Sequence, residues 1–198
     1  IHCSNLYWIE PQIKLAQKLV EESCCDKAFF CNSGTEANEA AIKLARKWGQ
    51  SRYEIITMEK SFHGRTLGSL TATGQEKYQK AFRPLPAGFK YVPFNDLEAL
   101  EKALTPQTCA VMLECIQGEG GVNVPEPGYL QGVEKICREN NLLLIVDEVQ
   151  TGLGRTGKPF AYQNFGISPD IITLAKALGG GVPIGAMLAK EEVAQAFE

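Results

Sequence analysis

Two kinds of segment alternate along the chain. Short runs that are apolar nearly throughout occupy residues 27–31, 54–58, 90–93, 109–114, 142–146, 171–174 and 186–189, and their length predicts strands. Between them lie stretches whose apolar residues recur at helical spacing. Residues 34–48 place Ala37, Ala40, Ala41, Leu44, Ala45 and Trp48 on one face. Further helices are predicted over 96–104, started by Asn95 or Asp96, over 127–140 with Pro127 in the first turn, and over 191–198. Residues 67–82 read as helical in part, with Gly74 interrupting them. Strands without polar alternation are buried on both faces, so the pattern predicts an α/β fold: a three-layer sandwich around a mostly parallel sheet.

Ligands of such sheets sit beyond the carboxyl ends of the strands. Several polar clusters fall there. Ser33-Gly34-Thr35-Glu36 follows a strand and opens a helix, where free amides attract an anion. Ser33 and Glu36 also form a capping box, which needs no ligand. The run 142–146 ends on Asp147-Glu148-Val149-Gln150, and the run 170–175 ends on Lys176, before Gly179-Gly180-Gly181. Alone, Asp147 reads as a helix cap or surface charge, and Lys176 as a lysine reaching for water. Together they offer an acid and an amine at one sheet edge. That pairing suits a pyridine cofactor held through its ring nitrogen and by a Schiff base, and such a setting lowers a lysine's pKa. Phe62-His63-Gly64-Arg65-Thr66 adds an aromatic ring for stacking and a planar cation for a carboxylate.

One motif points elsewhere. Gly152-Leu153-Gly154-Arg155-Thr156-Gly157-Lys158 matches G-x-G-x-x-G, the mark of a nucleotide-binding α/β domain. However, Pro159 stands where a P-loop needs a hydroxyl, and polar residues separate the preceding strand from the first glycine. A plain glycine-rich loop accounts for it better.

Composition narrows the classes. A net charge of −3 without a basic cluster excludes a nucleic-acid surface. No apolar run approaches the ~20 residues of a membrane span. The 7 cysteines form no C-x-x-C pair and are accompanied by only 2 histidines, so no zinc-site pattern exists. Cys31, Cys109 and Cys115 lie in apolar runs and read as small buried hydrophobes of a reducing compartment. The chain starts at Ile1 and is read as an internal piece of a longer protein.

Five segments in this order resemble the class III pyridoxal-phosphate aminotransferases: Asn32 to Ala40, Phe62 to Thr66, Gln117-Gly118-Glu119-Gly120-Gly121, Asp147 to Gly152, and Lys176 with its glycines. The resemblance spans essentially the whole chain. It implies the truncated large domain of a fold-type I enzyme over residues 1–198, with pyridoxal 5'-phosphate as cofactor. By the same resemblance Lys176 carries the cofactor and shuttles the proton, while Asp147 pairs with the ring nitrogen. Val149 and Phe62 enclose the ring, Gln150 lies by its phenolic oxygen, Gly34 and Thr35 hold the phosphate, and Glu148 adjoins the site. Arg65 binds a substrate carboxylate, and Glu119 helps the site take two substrates in turn. The implied reaction moves an amino group from acetylornithine, or another ω-amino donor such as ornithine, succinylornithine or 4-aminobutyrate, to 2-oxoglutarate. His63 after Phe62 favours the acetylornithine branch. Cys115 departs from the family's proline. A cytoplasmic homodimer is implied, acting on an amino acid and a 2-oxo acid, with no nucleic acid, membrane or metal. A partner-subunit threonine and a C-terminal arginine would lie beyond Glu198, so these 198 residues alone are expected to be inactive.

Overall fold

The computed structural model describes residue 3 and residues 6–197. Its strands are β1 (Lys27–Cys31), β2 (Glu54–Met58), β3 (Phe89–Val92), β4 (Thr108–Leu113), β5 (Leu143–Asp147), β6 (Ile171–Leu174) and β7 (Gly185–Ala189). They form one seven-stranded sheet in the order β1-β7-β6-β5-β4-β2-β3. Strand β7 runs antiparallel to both neighbours, β1 and β6. The other pairs are parallel, so the expected mostly parallel sheet is present with one reversed strand.

The helices are α1 (Glu10–Glu22), α2 (Gly34–Trp48), α3 (Leu67–Ala72), α4 (Glu76–Gln79), α5 (Leu97–Ala103), α6 (Tyr129–Glu139), α7 (Tyr162–Phe165) and α8 (Glu191–Ala194). Two apolar clusters flank the sheet. One joins Leu19, Leu100, Val133 and Ile136 to Val111, Leu113, Leu144 and Val146. The other joins Ala41, Leu44 and Ala45 of α2 to Ala110, Met112, Leu143 and Ile145. Successive residues of β4 and β5 therefore feed opposite layers, which is why these strands show no polar alternation. Each fully buried leucine contributes roughly 1.5–3 kcal/mol.

Local chemistry refines several expected boundaries. Asp96 caps α5, its carboxylate accepting from Ala99 N at 2.8 Å, whereas Asn95 stands outside at φ 68°. Helix α6 begins at Tyr129, not at Pro127, because Gly128 precedes it in the left-handed region at φ 86°. Gly74 separates α3 from α4 as expected. A Cβ there would stand 2.2 Å from Met58 O, so only glycine lets the two backbones meet. The expected helix over 191–198 is α8 followed by a 3₁₀ turn at Gln195–Phe197, and Glu198 lies outside the described residues. Helix α1 was not anticipated. Its signals are Pro11 in the first turn and the Glu10–Lys14 and Lys18–Glu22 ion pairs. Cys109 and Cys115 are buried as expected, whereas Cys31 is half-buried.

Candidate active site

Strand periodicity decides which way the acid points. Ile145 and Asp147 share one face of β5, the face that packs on α2. Ile171 and Thr173 share the same face of β6. Asn38, one turn into α2, reaches down between them. Its Nδ2 donates to Asp147 Oδ2 at 2.8 Å and to His63 O at 2.6 Å, while its Oδ1 accepts from Thr173 Oγ1 at 2.7 Å. His63 Nδ1 lies 2.8 Å from Asp147 Oδ2, and Val149 N donates to Asp147 Oδ1 at 3.0 Å. The carboxylate is 3% exposed, so these partners replace water.

Around Asp147 opens a cavity of about 570 Å³. Its walls include Gly34, Thr35, Asn38, Phe62, His63, Arg65, Asp147, Val149, Gln150 and Lys176, with residues 181–184 at one side. Ser33 caps α2, accepting from Glu36 N at 3.3 Å, and Glu36 reaches back to Asn32 N at 2.7 Å. The capping box is thus formed, and Gly34 and Thr35 line the cavity at the first helical turn, where amides have no intrahelical acceptor. Gly34 packs closely on Val149, because a Cβ would stand 2.9 Å from both of its methyls. Thr35 Oγ1 lies 2.8 Å from Thr66 Oγ1, tying α2 to the 62–66 loop.

Lys176 follows β6 in the left-handed region, at φ 47°, which is uncommon for a non-glycine residue. Its amine is exposed and has no hydrogen-bond or ion-pair partner among the described residues. Strands β5 and β6 are paired neighbours, so Asp147 and Lys176 come from adjacent strand ends. Phe62 packs edge-on against Tyr78, with centroids 5.6 Å apart, and the Arg65 guanidinium lies 5.7 Å from the same ring.

Two expected site residues stand outside this cavity. Glu148 points to the opposite sheet face, where it is buried and accepts from Tyr162 N at 2.9 Å and Thr151 Oγ1 at 2.5 Å. Burial raises its pKa above the usual carboxylate range. Glu119 is exposed on the 117–121 loop and does not line the cavity. Asn38 was not among the expected site residues, because its only local signal is its place one turn after Gly34. The contact of His63 to Asp147 likewise has no local sequence signal. The 152–157 glycine loop forms turns and opens no helix, the next helix being the four-residue α7. No nucleotide site forms there.

A buried, multiply held carboxylate thus stands beside a lysine that has no partner among the described residues, on adjacent ends of a mostly parallel sheet and next to a helix start. The chain matches the family model described as aminotransferase class-III over residues 1–198, and it belongs to that family. It is 63% identical to the acetylornithine aminotransferase of Caldanaerobacter subterraneus, over 98% of this chain and 51% of that protein. It is 60% identical to the acetylornithine aminotransferase of Methanocaldococcus jannaschii, over 100% and 51%. Among solved structures, the N-acetylornithine aminotransferase of Stenotrophomonas maltophilia is similar with a TM-score of 0.83 at 44% identity, covering 98% of this chain and 50% of that one. The ornithine aminotransferase of Toxoplasma gondii gives 0.93 at 36%, covering 99% and 49%. The chain spans about half the length of the curated relatives it matches.

Proposed function

We propose that the protein is a pyridoxal-phosphate-dependent aminotransferase that moves the amino group of N-acetylornithine to 2-oxoglutarate. The observation that carries this reading is the pairing of Asp147 and Lys176 at one cavity, with Asn38 and His63 fixing the acid. The acetylornithine donor is supported by relatives of that name at 63% and 60% identity.

The residues present fit the cofactor. The cavity offers helix-start residues for a phosphate, a buried acceptor for a ring N–H, apolar walls for a flat ring, and an amine on Lys176. When bound, pyridoxal phosphate supplies an aldehyde carbon that condenses with amines and a ring that takes up electrons. Gly34 and Thr35 would hold its phosphate, and Asp147 would accept the proton-bearing ring nitrogen. Phe62 and Val149 would keep water from the ring faces, and Gln150 would donate near the ring's oxygen. Lys176 Nζ would hold the cofactor covalently. Displaced by the incoming amine, Nζ would take the proton from the substrate's amine-bearing carbon and return it elsewhere. Arg65 would grip a substrate carboxylate, and Glu119, on the nearby 117–121 loop, would help the site take two substrates in turn.

The assembly we propose is a cytoplasmic homodimer. Val182, 70% exposed at the side of the cavity, leaves apolar surface there for another subunit. Sedimentation of the full chain checks this. Borohydride treatment of the cofactor-loaded full chain should fix the cofactor to Lys176. Covalent trapping that persists in Lys176→Ala would overturn the assignment. Turnover with acetylornithine should exceed that with ornithine or 4-aminobutyrate, and the reverse order would overturn the donor.

A further inference from the structure

Glu114 is a buried acid that the proposed reaction does not use. It follows β4, is 2% exposed, and has no lysine or arginine partner among the described residues. Its two oxygens face different loops. Oε2 accepts from Phe62 N at 3.1 Å, and Oε1 accepts from Gly118 N at 3.2 Å. Phe62 lines the cavity directly. Gly118 reaches it through Gln150, because a Cβ on Gly118 would stand 2.6 Å from Gln150 Oε1.

We propose that Glu114 is a positioning residue whose single carboxylate sets the Phe62 wall and, through Gly118, the Gln150 side chain in register across the cavity. The proposal rests on reading that cavity as the pyridoxal-phosphate site. The ionised form offers a full-strength acceptor oxygen to each amide. A protonated carboxyl turns one oxygen into a donor, which an amide N–H cannot satisfy. Burial raises the acid's pKa to about 7, with His63 lowering it and Asp147 raising it, so the clamp engages across the neutral range.

The clamp predicts coupled titration in the cofactor-free full chain, followed by NMR. The Glu114 carboxyl carbon and the Phe62 and Gly118 amides should shift with one shared midpoint, and Glu114→Gln should abolish the amide shifts. Glutamine also mimics the protonated acid. At about pH 8, wild type should bind pyridoxal phosphate about tenfold more tightly than E114Q, and the two should converge at about pH 5.5. Amides that do not follow the Glu114 carboxyl, or an affinity gap equal at both pH values, would overturn the clamp. A wild type that binds no pyridoxal phosphate would overturn the function instead, and the amide titration would still decide the clamp.

Discussion

His63 Nδ1 and Asp147 Oδ2 lie 2.8 Å apart, with both side chains buried. The same oxygen accepts from Asn38, so one carboxylate atom joins helix α2, the 62–66 loop and strand β5. The opposite ring nitrogen, His63 Nε2, is buried without a hydrogen-bond partner among the described residues. The ring is therefore held through Asp147, and its orientation depends on that contact.

Asn38→Ala should destabilise the protein by about 1–3 kcal/mol, because it strips a donor from Asp147 and leaves the buried Thr173 hydroxyl without its acceptor. Urea unfolding followed by circular dichroism measures this. A midpoint equal to wild type would show that the network adds nothing to stability.

Gly185→Ala should be worse than Gly34→Ala for folding. At Gly185 a Cβ would stand 2.3 Å from Ser33 O, a backbone atom that cannot move without disturbing the α2 cap. At Gly34 the neighbours at 2.9 Å are Val149 methyls, which can shift. The expected loss at Gly185 is about 1–3 kcal/mol. The Gly34 change should instead show mainly as weaker cofactor binding, read by spectroscopic titration.

Asp170→Ala should cost about 1–3 kcal/mol, since it removes the shared partner of two part-exposed cations and the acceptor of Leu144 N. Asp170 is 2% exposed and takes Arg138 Nη1 at 2.7 and 2.8 Å, Lys190 Nζ at 3.0 Å and Leu144 N at 2.8 Å. The carboxylate pins α6 and the segment after β7 to the start of β5, far from the cavity. Thermal unfolding should therefore fall while the cofactor affinity of the folded fraction stays near wild type.

Stability should decline as pH rises from about 4.5 to about 7, through Glu114. Burial raises the folded pKa to about 7 from 4.5, so the folded state binds more protons across that window and deprotonation favours unfolding. The full effect is on the order of 3 kcal/mol. Glu114→Gln should flatten that part of the stability–pH curve, and an unchanged slope would count against it.

Lys176→Ala should lower turnover by at least about 100-fold, the usual size of a lost acid–base group. Thermal stability should hold, because the exposed side chain has no partner among the described residues to lose. Steady-state assay and thermal unfolding of one preparation separate the two effects.

The sequence by itself determined what depends on near neighbours. Periodicity located β1, α2, β2 and β6 to the residue, because apolar spacing and strand length are local properties. The capping box of Ser33 and Glu36 and the strand-end placement of Asp147 and Lys176 were legible for the same reason. Boundaries failed where one residue's backbone angle decides, as at Gly128, and α1 escaped because its signals are charge pairs with little burial. The tertiary structure decided what depends on strand order. Nothing local says that β7 inserts, reversed, between β1 and β6, or that β4 and β5 are neighbours. The contacts that make the site follow from that order. Asp147 meets His63 and Asn38 across 84 and 109 residues, and Glu114 meets Phe62 across 52. Hydrogen bonds between residues so far apart leave no periodic trace in a sequence, since only packing of the layers brings their partners within reach.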